Sequence, residues 1–324
     1  MKGLTAEQVT EFNEEGFLVV NNFLNPAEDL DPIINEYEGV LDRLANNLFA
    51  KGEISSSHAD KDFSERLIHV CQESGKVLAQ HFDFSLPQKN IQADTPIWTG
   101  PSIFNALHNV KLLDAVESLI GPEIYSNPVQ HGRLKLPEHR GIADEAGQLV
   151  QGVTPWHQDN GVVLEEADET DVITVWFALW DAPIESGCLH VVPKSHREGL
   201  VTHCPLGAAG AGIPEKLIPL QKAIPLPMKR GDVLFLHRRT CHGSLPNISN
   251  KVRWSFDLRY NPIGQHTGRK AFPGFVARSR ANPESELHDA AQWAASWDEA
   301  QRKIVAEGSE TFFNRWDENA EVCA

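Results

Sequence analysis

Nine consecutive residues, Val172, Ile173, Thr174, Val175, Trp176, Phe177, Ala178, Leu179 and Trp180, restrict the fold more than any other stretch of the chain. They are β-branched, aromatic or aliphatic almost throughout, so neither side of the strand they form can face water. A strand buried on both faces requires a packed layer above it and another below it. The run is also the longest apolar one in the sequence, and it falls far short of the roughly 20 residues that a membrane-spanning helix needs.

Other elements are legible around it. Residues 16–20, 124–136, 188–192 and 233–236 read as further strands, bounded by turn chemistry such as Arg230-Gly231-Asp232 and Asp181 with Gly187. Thr5 and Gln8 have capping-box form ahead of Val9 and Phe12. After Asp31-Pro32, the residues Ile33, Tyr37, Val40, Leu41, Leu44 and Leu48 recur at helical spacing, and residues 64–81 and 102–120 read as two more helices. Residues 292–306 are helical again, and Trp293, Trp297, Phe312, Phe313 and Trp316 anchor a tail that either packs back on the body or forms a dimer contact. Residues 137–154 and 203–221, polar or rich in Gly and Pro, are candidate active-site loops, with plain surface loop as the alternative for the first.

Length and charge narrow the function. At 324 residues the chain is expected to be one domain, with a helix-rich part over 1–122, a β core over about 123–260 and a tail over 261–324. The net charge of -16 argues against a nucleic-acid partner and against docking on an anionic membrane. Five cysteines, Cys71, Cys188, Cys204, Cys241 and Cys323, have no C-x-x-C spacing, so neither a zinc ribbon nor a disulfide framework is expected, and reduced thiols are the default. The opening residues lack an apolar leader segment, which points to a soluble, cytoplasmic protein.

The chemistry concentrates in Trp156-His157-Gln158-Asp159-Asn160-Gly161, where a strand enters a turn. His157 and Asp159, two apart, point the same way. An imidazole beside a carboxylate is two-thirds of a 2-His-1-carboxylate set, which suits non-haem Fe(II) with open positions. His242 is the preferred partner; His190, His196 and His237 compete. If the turn at Pro246 to Asn250 closes a hairpin centred between Asn247 and Ile248, His242 and Arg253 stand opposite each other and share a face. That would set a fork-shaped cation beside a ligand, fit to clamp the far carboxylate of an anionic chelator. His131, Arg133 and Lys135 alternate on one face of their strand, which is either solvated or turned to the interior.

His157, Asp159, His242 and Arg253, with Gly187-Cys188-Leu189 and Pro193-Lys194-Ser195-His196 between them, resemble the phytanoyl-CoA dioxygenase family over residues 4–260. The resemblance implies a mainly β fold with flanking helices around a double-stranded β-helix, the cupin-like jelly roll. It implies Fe(II), 2-oxoglutarate as co-substrate and O2, with His157, Asp159 and His242 as metal ligands and Arg253 on the co-substrate's C5 carboxylate. Gln158, Trp176 and Ser244 then fall near the co-substrate, and Lys135 becomes a cation able to reach the site. The implied activity is hydroxylation or another oxidation of a small organic substrate with release of succinate and CO2, by a monomer or homodimer. Two other readings compete: a cupin-like metallohydrolase or isomerase on the same three ligands, with Arg253 binding substrate, and a catalytically silent ligand-binding relative.

Overall fold

The computed structural model describes residues 3–142, 152–206, 210–308 and 315–323. Thr5 and Gln8 cap α1 (Ala6–Glu15) reciprocally, as the sequence predicts. Gly16 then turns the chain at φ 82 into β1 (Phe17–Val20), and a Cβ there would collide with His196 and Thr240, so no larger residue fits. α2 (Asp31–Ala50) carries Pro32 in its first turn and buries Ile33, Tyr37, Val40, Leu41, Ala45 and Leu48.

Three expected elements are cut shorter by local chemistry. α3 (Phe63–Ser74) stops at the left-handed Gly75, well before residue 81. The helix expected over 102–120 is two, α4 (Pro101–Leu107) and α5 (Val110–Ile120), because the Asn109 side chain accepts from the amides of Lys111 and Leu112 and starts a new helix. The strand expected over 124–136 is likewise two, β2 (Glu123–Ser126) and β3 (His131–Lys135). Between them Pro128 offers no amide to a ladder, and the Asn127 side chain bonds Asn261 and the Val129 amide instead.

The remaining strands are β4 (Ile173–Ala178), β5 (Leu189–Val191), β6 (Cys204–Pro205), β7 (Ala211–Gly212), β8 (Ile224–Leu226), β9 (Val233–His237), β10 (His242–Ser244), β11 (Arg253–Pro262) and β12 (Phe275–Ser279), followed by α6 (Ala290–Glu307). Every pairing is antiparallel. The larger sheet runs β1-β9-β4-β11-β2-β12, with β3 also on β11; the smaller runs β10-β5-β8; β6 and β7 pair alone.

β4 shows why both its faces are apolar. Ile173, Val175 and Phe177 pack into the main core with Tyr37, Phe63 and Leu113 of the helices, whereas Trp176 and Ala178 pack with Leu189 and Val191 of the smaller sheet and Leu234 and Leu236 of β9. Helices on one side and a second sheet on the other give the jelly-roll sandwich that the sequence leads one to expect.

Two expectations fail. β10 pairs with β5, and β11 pairs with β2, β3 and β4, so β10 and β11 form no hairpin; residues 245–252 cross from one sheet to the other. Cys204 and Cys323 form a disulfide across 119 residues, leaving Cys71, Cys188 and Cys241 as buried free thiols. Odd number and wide spacing hide such a bond, because it depends on where the tail lands. Trp293 and Trp297 are buried in the main core, Trp316 donates to the Gly161 carbonyl, and Phe312 and Phe313 lie outside the described residues. Among the described residues no helix is long and apolar enough to cross a membrane.

Candidate metal centre and co-substrate pocket

His157 and His242 exchange backbone hydrogen bonds in an isolated bridge, 2.8 Å and 2.9 Å, that extends the smaller sheet by one residue pair. Opposed residues share a face, and their rings lie 4.1 Å apart between centroids. Asp159, two residues on, joins them. One ligand atom from each of the three buried side chains lies within 4.8 Å of the others.

Each imidazole is oriented from behind. His157 Nδ1 lies 2.9 Å from the Pro155 carbonyl and His242 Nδ1 lies 2.9 Å from the Thr240 carbonyl. A carbonyl can only accept, so the proton sits on Nδ1 and the Nε2 lone pair is left for the cluster. Burial, and then the nearby His242, hold His157 well below the usual imidazole range, which keeps it neutral and able to ligate.

Asp159 is fastened at both oxygens. Thr174 donates its hydroxyl to Oδ2 at 2.6 Å, and the Arg259 guanidinium pairs with Oδ1. Burial by itself would push this carboxyl up; the charge of Arg259, with the Thr174 hydrogen bond, more than offsets that and holds it below the carboxylate range. Arg259 is itself tied to the Val129 carbonyl at 2.6 Å and lies 3.7 Å from Asp257, which in turn takes Arg133 at 2.8 Å.

Arg253 is different. It is buried, one Nη donates to Ser255 Oγ, and its guanidinium stands 5.8 Å from the Trp176 ring centre. Its Nε has no hydrogen-bond partner, and no ion pair to it exists among the described residues. Burial draws its ionisation down to about 10. Arg253 shares its cavity with His157 and His242, and also with Asp257, to which it makes no ion pair among the described residues, so its guanidinium could take a further carboxylate.

The other expected residues divide. Trp176 lines that cavity, with Thr154, Leu189 and Leu236. Gln158 does not: its amide is spent on the carbonyls of Gly199 at 2.8 Å and Arg239 at 2.7 Å and on the Val201 amide at 2.8 Å, on the side of the strand away from His157. Its placement between His157 and Asp159 is also what turns it away. Lys135 and Ser244 are likewise engaged with each other, Nζ donating to Oγ at 2.6 Å and to the Leu245 carbonyl at 2.7 Å, so they tie β3 to β10 rather than reach the cavity lining. Of the basic row, Arg133 lines the cavity and His131 pairs with Asp83 at 2.8 Å. Of the competing histidines, His196 and His237 contact each other beside Phe12, and His190 stacks on Trp156 at 3.8 Å on the opposite face from His242. A second group, His58, His69 and Glu73, also gathers, but there Glu73 is already bonded to Ser55 and His58.

Sequence reading missed Thr174, Asp257 and Arg259. The signal was present: in β11 the polar residues Arg253, Ser255, Asp257 and Arg259 alternate with the apolar Trp254, Phe256, Leu258 and Tyr260, which is a strand with one wet and one dry face.

Comparison with known proteins agrees with this geometry. The sequence profile of the family described as Phytanoyl-CoA dioxygenase (PhyH) matches residues 12–255. A phytanoyl-CoA dioxygenase of Arabidopsis thaliana is 25% identical over 265 residues, covering 79% of this chain and 88% of that protein. A 1-deoxypentalenic acid 11-beta-hydroxylase of Streptomyces exfoliatus is 33% identical over 129 residues, covering 37% of this chain and 44% of that protein. Among solved structures, the non-heme monooxygenase ThoJ in its apo form superposes with a TM-score of 0.59 at 19% identity, over 93% of this chain and 98% of that one, a likeness of fold. EvdO2 from Micromonospora carbonacea var. aurantiaca gives 0.51 at 19% identity, over 80% and 91%. With its core strands, its two-histidine, one-carboxylate cluster and most of its length accounted for in this way, the chain belongs to the phytanoyl-CoA dioxygenase family, non-haem oxygenases that work with Fe(II), 2-oxoglutarate and O2.

Proposed function

We propose that residues 1–324 act as one catalytic domain that oxidises a small organic substrate, most simply by hydroxylation, while 2-oxoglutarate is converted to succinate and CO2. In this reading His157, Asp159 and His242 hold the iron, and Arg253 holds the distal carboxylate of 2-oxoglutarate. The observation that carries it is the clustering of two Nε2 lone pairs with the Asp159 carboxylate, and the presence of the Arg253 guanidinium, without an ion pair among the described residues, in the cavity that both histidines line. The hydroxylase among the relatives supports hydroxylation as the reaction type.

Bound Fe(II) supplies the activation of O2, and the chain supplies position and charge. The carbonyls of Pro155 and Thr240 keep both imidazoles in the ligating tautomer. Arg259 and Thr174 keep Asp159 ionised and aimed. Arg253, packed beside Trp176 in the cavity that His157 and His242 line, would hold the distal carboxylate of 2-oxoglutarate and so orient the co-substrate. Leu189 and Leu236 make part of the wall apolar and limit water there.

The test is anaerobic addition of Fe(II) and 2-oxoglutarate. A weak visible charge-transfer band is expected, and it should disappear in His157→Ala, Asp159→Ala and His242→Ala while each variant keeps the circular dichroism of the parent. Persistence of the band in any one of them removes that residue from the ligand set. A screen of candidate substrates for stimulated succinate formation then identifies the organic substrate.

A further inference from the structure

From the contacts around the Asp159 turn we infer that residues 315–323 are a strap that positions this turn, and that the Cys204–Cys323 disulfide locks the strap, so that a dithiol reductant weakens metal binding. The inference rests on the reading of Asp159 as a metal ligand.

Three backbone groups within two residues of Asp159 are gripped from this side. Trp316 Nε1 donates to the Gly161 carbonyl at 2.6 Å. Arg315 donates to the Asn160 carbonyl at 3.2 Å and pairs with Asp168, whose own carbonyl takes the Asn160 side-chain amide at 2.8 Å. The third is the Gln158 amide, which donates to His203 Nε2 at 2.9 Å, and the His203 ring stacks on Trp316 at 5.3 Å.

His203 is packed so closely that a Cβ on Gly161 would occupy its ring. The next residue along is Cys204, bonded to Cys323 at the far end of the strap. The turn is therefore clasped between His203 and Trp316, with a covalent bond joining the two sides of the clasp. Asp159 itself meets Arg259 and Thr174 on the inner side, so the strap reaches the ligand only through the backbone that carries it.

Breaking the lock is chemically simple. A dithiol attacks the Cys204–Cys323 bond, two electrons and two protons pass to the protein to leave two thiols, and the dithiol closes to its own disulfide. Among the described residues the strap then holds the turn by non-covalent contacts such as the His203–Trp316 stack, the Arg315–Asp168 ion pair and the hydrogen bonds to the Asn160 and Gly161 carbonyls, against the conformational entropy of a segment no longer tied at Cys323. A ligand whose backbone wanders binds less tightly, as happens when the partners that orient a ligand are removed.

The probe is Co(II), titrated calorimetrically into the full chain under oxidised and dithiol-reduced conditions. Reduction, Cys323→Ser and Trp316→Ala should each weaken Co(II) binding by about tenfold, the lower end of what loss of an orienting partner costs. Trp316→Phe, which keeps the stack and loses the N–H donor, should fall between. Cys323→Ser should not respond to the dithiol, and hydrogen exchange at the amides of residues 159–162 should quicken wherever affinity falls. Ile304→Ala, a truncation in the α6 core, serves as a stability control that should lower the melting temperature and spare affinity.

Equal affinity in the oxidised and reduced protein overturns the lock, and so does a dithiol response that survives Cys323→Ser. If Ile304→Ala weakens binding as much as Trp316→Ala does, the strap acts only through global stability and the positioning role is lost. Failure of the wild type to bind Co(II) sinks the metal reading instead, and unchanged hydrogen exchange at 159–162 on reduction would then overturn the strap by itself.

Discussion

The two faces of β11 bury one backbone in opposite chemistries. Trp254, Phe256, Leu258 and Tyr260 look toward the helices, Trp254 stacked on Phe63 at 4.6 Å and Phe256 set against Phe84 at 5.0 Å. Arg253, Ser255, Asp257 and Arg259 look toward the smaller sheet and are buried as well. On the first face stability comes from apolar area removed from water and from dense packing. Burial on the second costs free energy for every charge, and only a partner offsets it. Arg133, Asp257, Arg259 and Asp159 form such a chain of partners, and Arg253 stands outside it. The lesson is that one face is held by packing and the other by partnered charges, so substitutions on the two should fail in different measurements.

The largest effect is expected on the dry face. Trp254→Ala should cost about 3–5 kcal/mol of stability, as aromatic truncation in a core does, with 2-oxoglutarate affinity of the remaining folded protein unchanged. Denaturant unfolding read beside a binding titration separates the two, and a loss of affinity without a loss of stability would contradict the division of labour.

Arg259→Met should cost about 3 kcal/mol, because it leaves the Asp159 carboxylate buried and without its cation. Unlike Trp254→Ala it should also weaken metal binding, most at low pH, where an uncompensated Asp159 takes up a proton. A variant that loses stability and keeps its metal affinity at pH 6 would move Arg259 to the structural side of the comparison.

Arg253→Lys should leave stability near that of the parent. It replaces a two-bond contact by a point contact, and losing one charge-assisted hydrogen bond at about 1.5–3 kcal/mol should raise the KM for 2-oxoglutarate roughly ten- to a hundredfold. If KM for the organic substrate moved instead, Arg253 would be a substrate residue.

The smallest effect, taken per pH unit, concerns Lys135, whose ammonium burial draws down to about 6, with Arg253 adding to the shift. Above that pH the folded state holds the neutral amine, while the unfolded chain keeps the proton up to the ordinary lysine range. The unfolded state therefore binds more protons, and stability should climb as pH rises from about 6, by at most about 1.4 kcal/mol per pH unit. Lys135→Met should flatten that slope. An unchanged slope in the variant assigns the pH dependence elsewhere.

Much of this was legible before any coordinates. The both-faces-buried run at 172–180 required covering layers, and β4 has them. The spacing of His157 and Asp159 put both on one face, and the cluster contains both. The hairpin expected to set His242 opposite Arg253 does not form, and the two line one cavity because residues 245–252 cross between two sheets that face each other. Gln158, expected near the co-substrate, is bonded to Gly199, Arg239 and Val201 instead, since alternation sends the neighbour of His157 to the far side.

What the sequence by itself determined is the set of local decisions: the Thr5 cap and the shared side of His157 and Asp159, which its reading recovers, and the stop at Gly75, the break at Asn109 and the two faces of β11, which are as local but which that reading runs past. These rest on interactions within a few residues, where periodicity and backbone chemistry are sufficient. Only the tertiary structure decided that Arg259 meets Asp159 across 100 positions, that Lys135 meets Ser244 across 109, and that Cys323 reaches Cys204 across 119. Such contacts depend on which strands become neighbours and in what register, and on where a tail docks. That choice is made by the packing of the whole core, and no spacing within one strand records it.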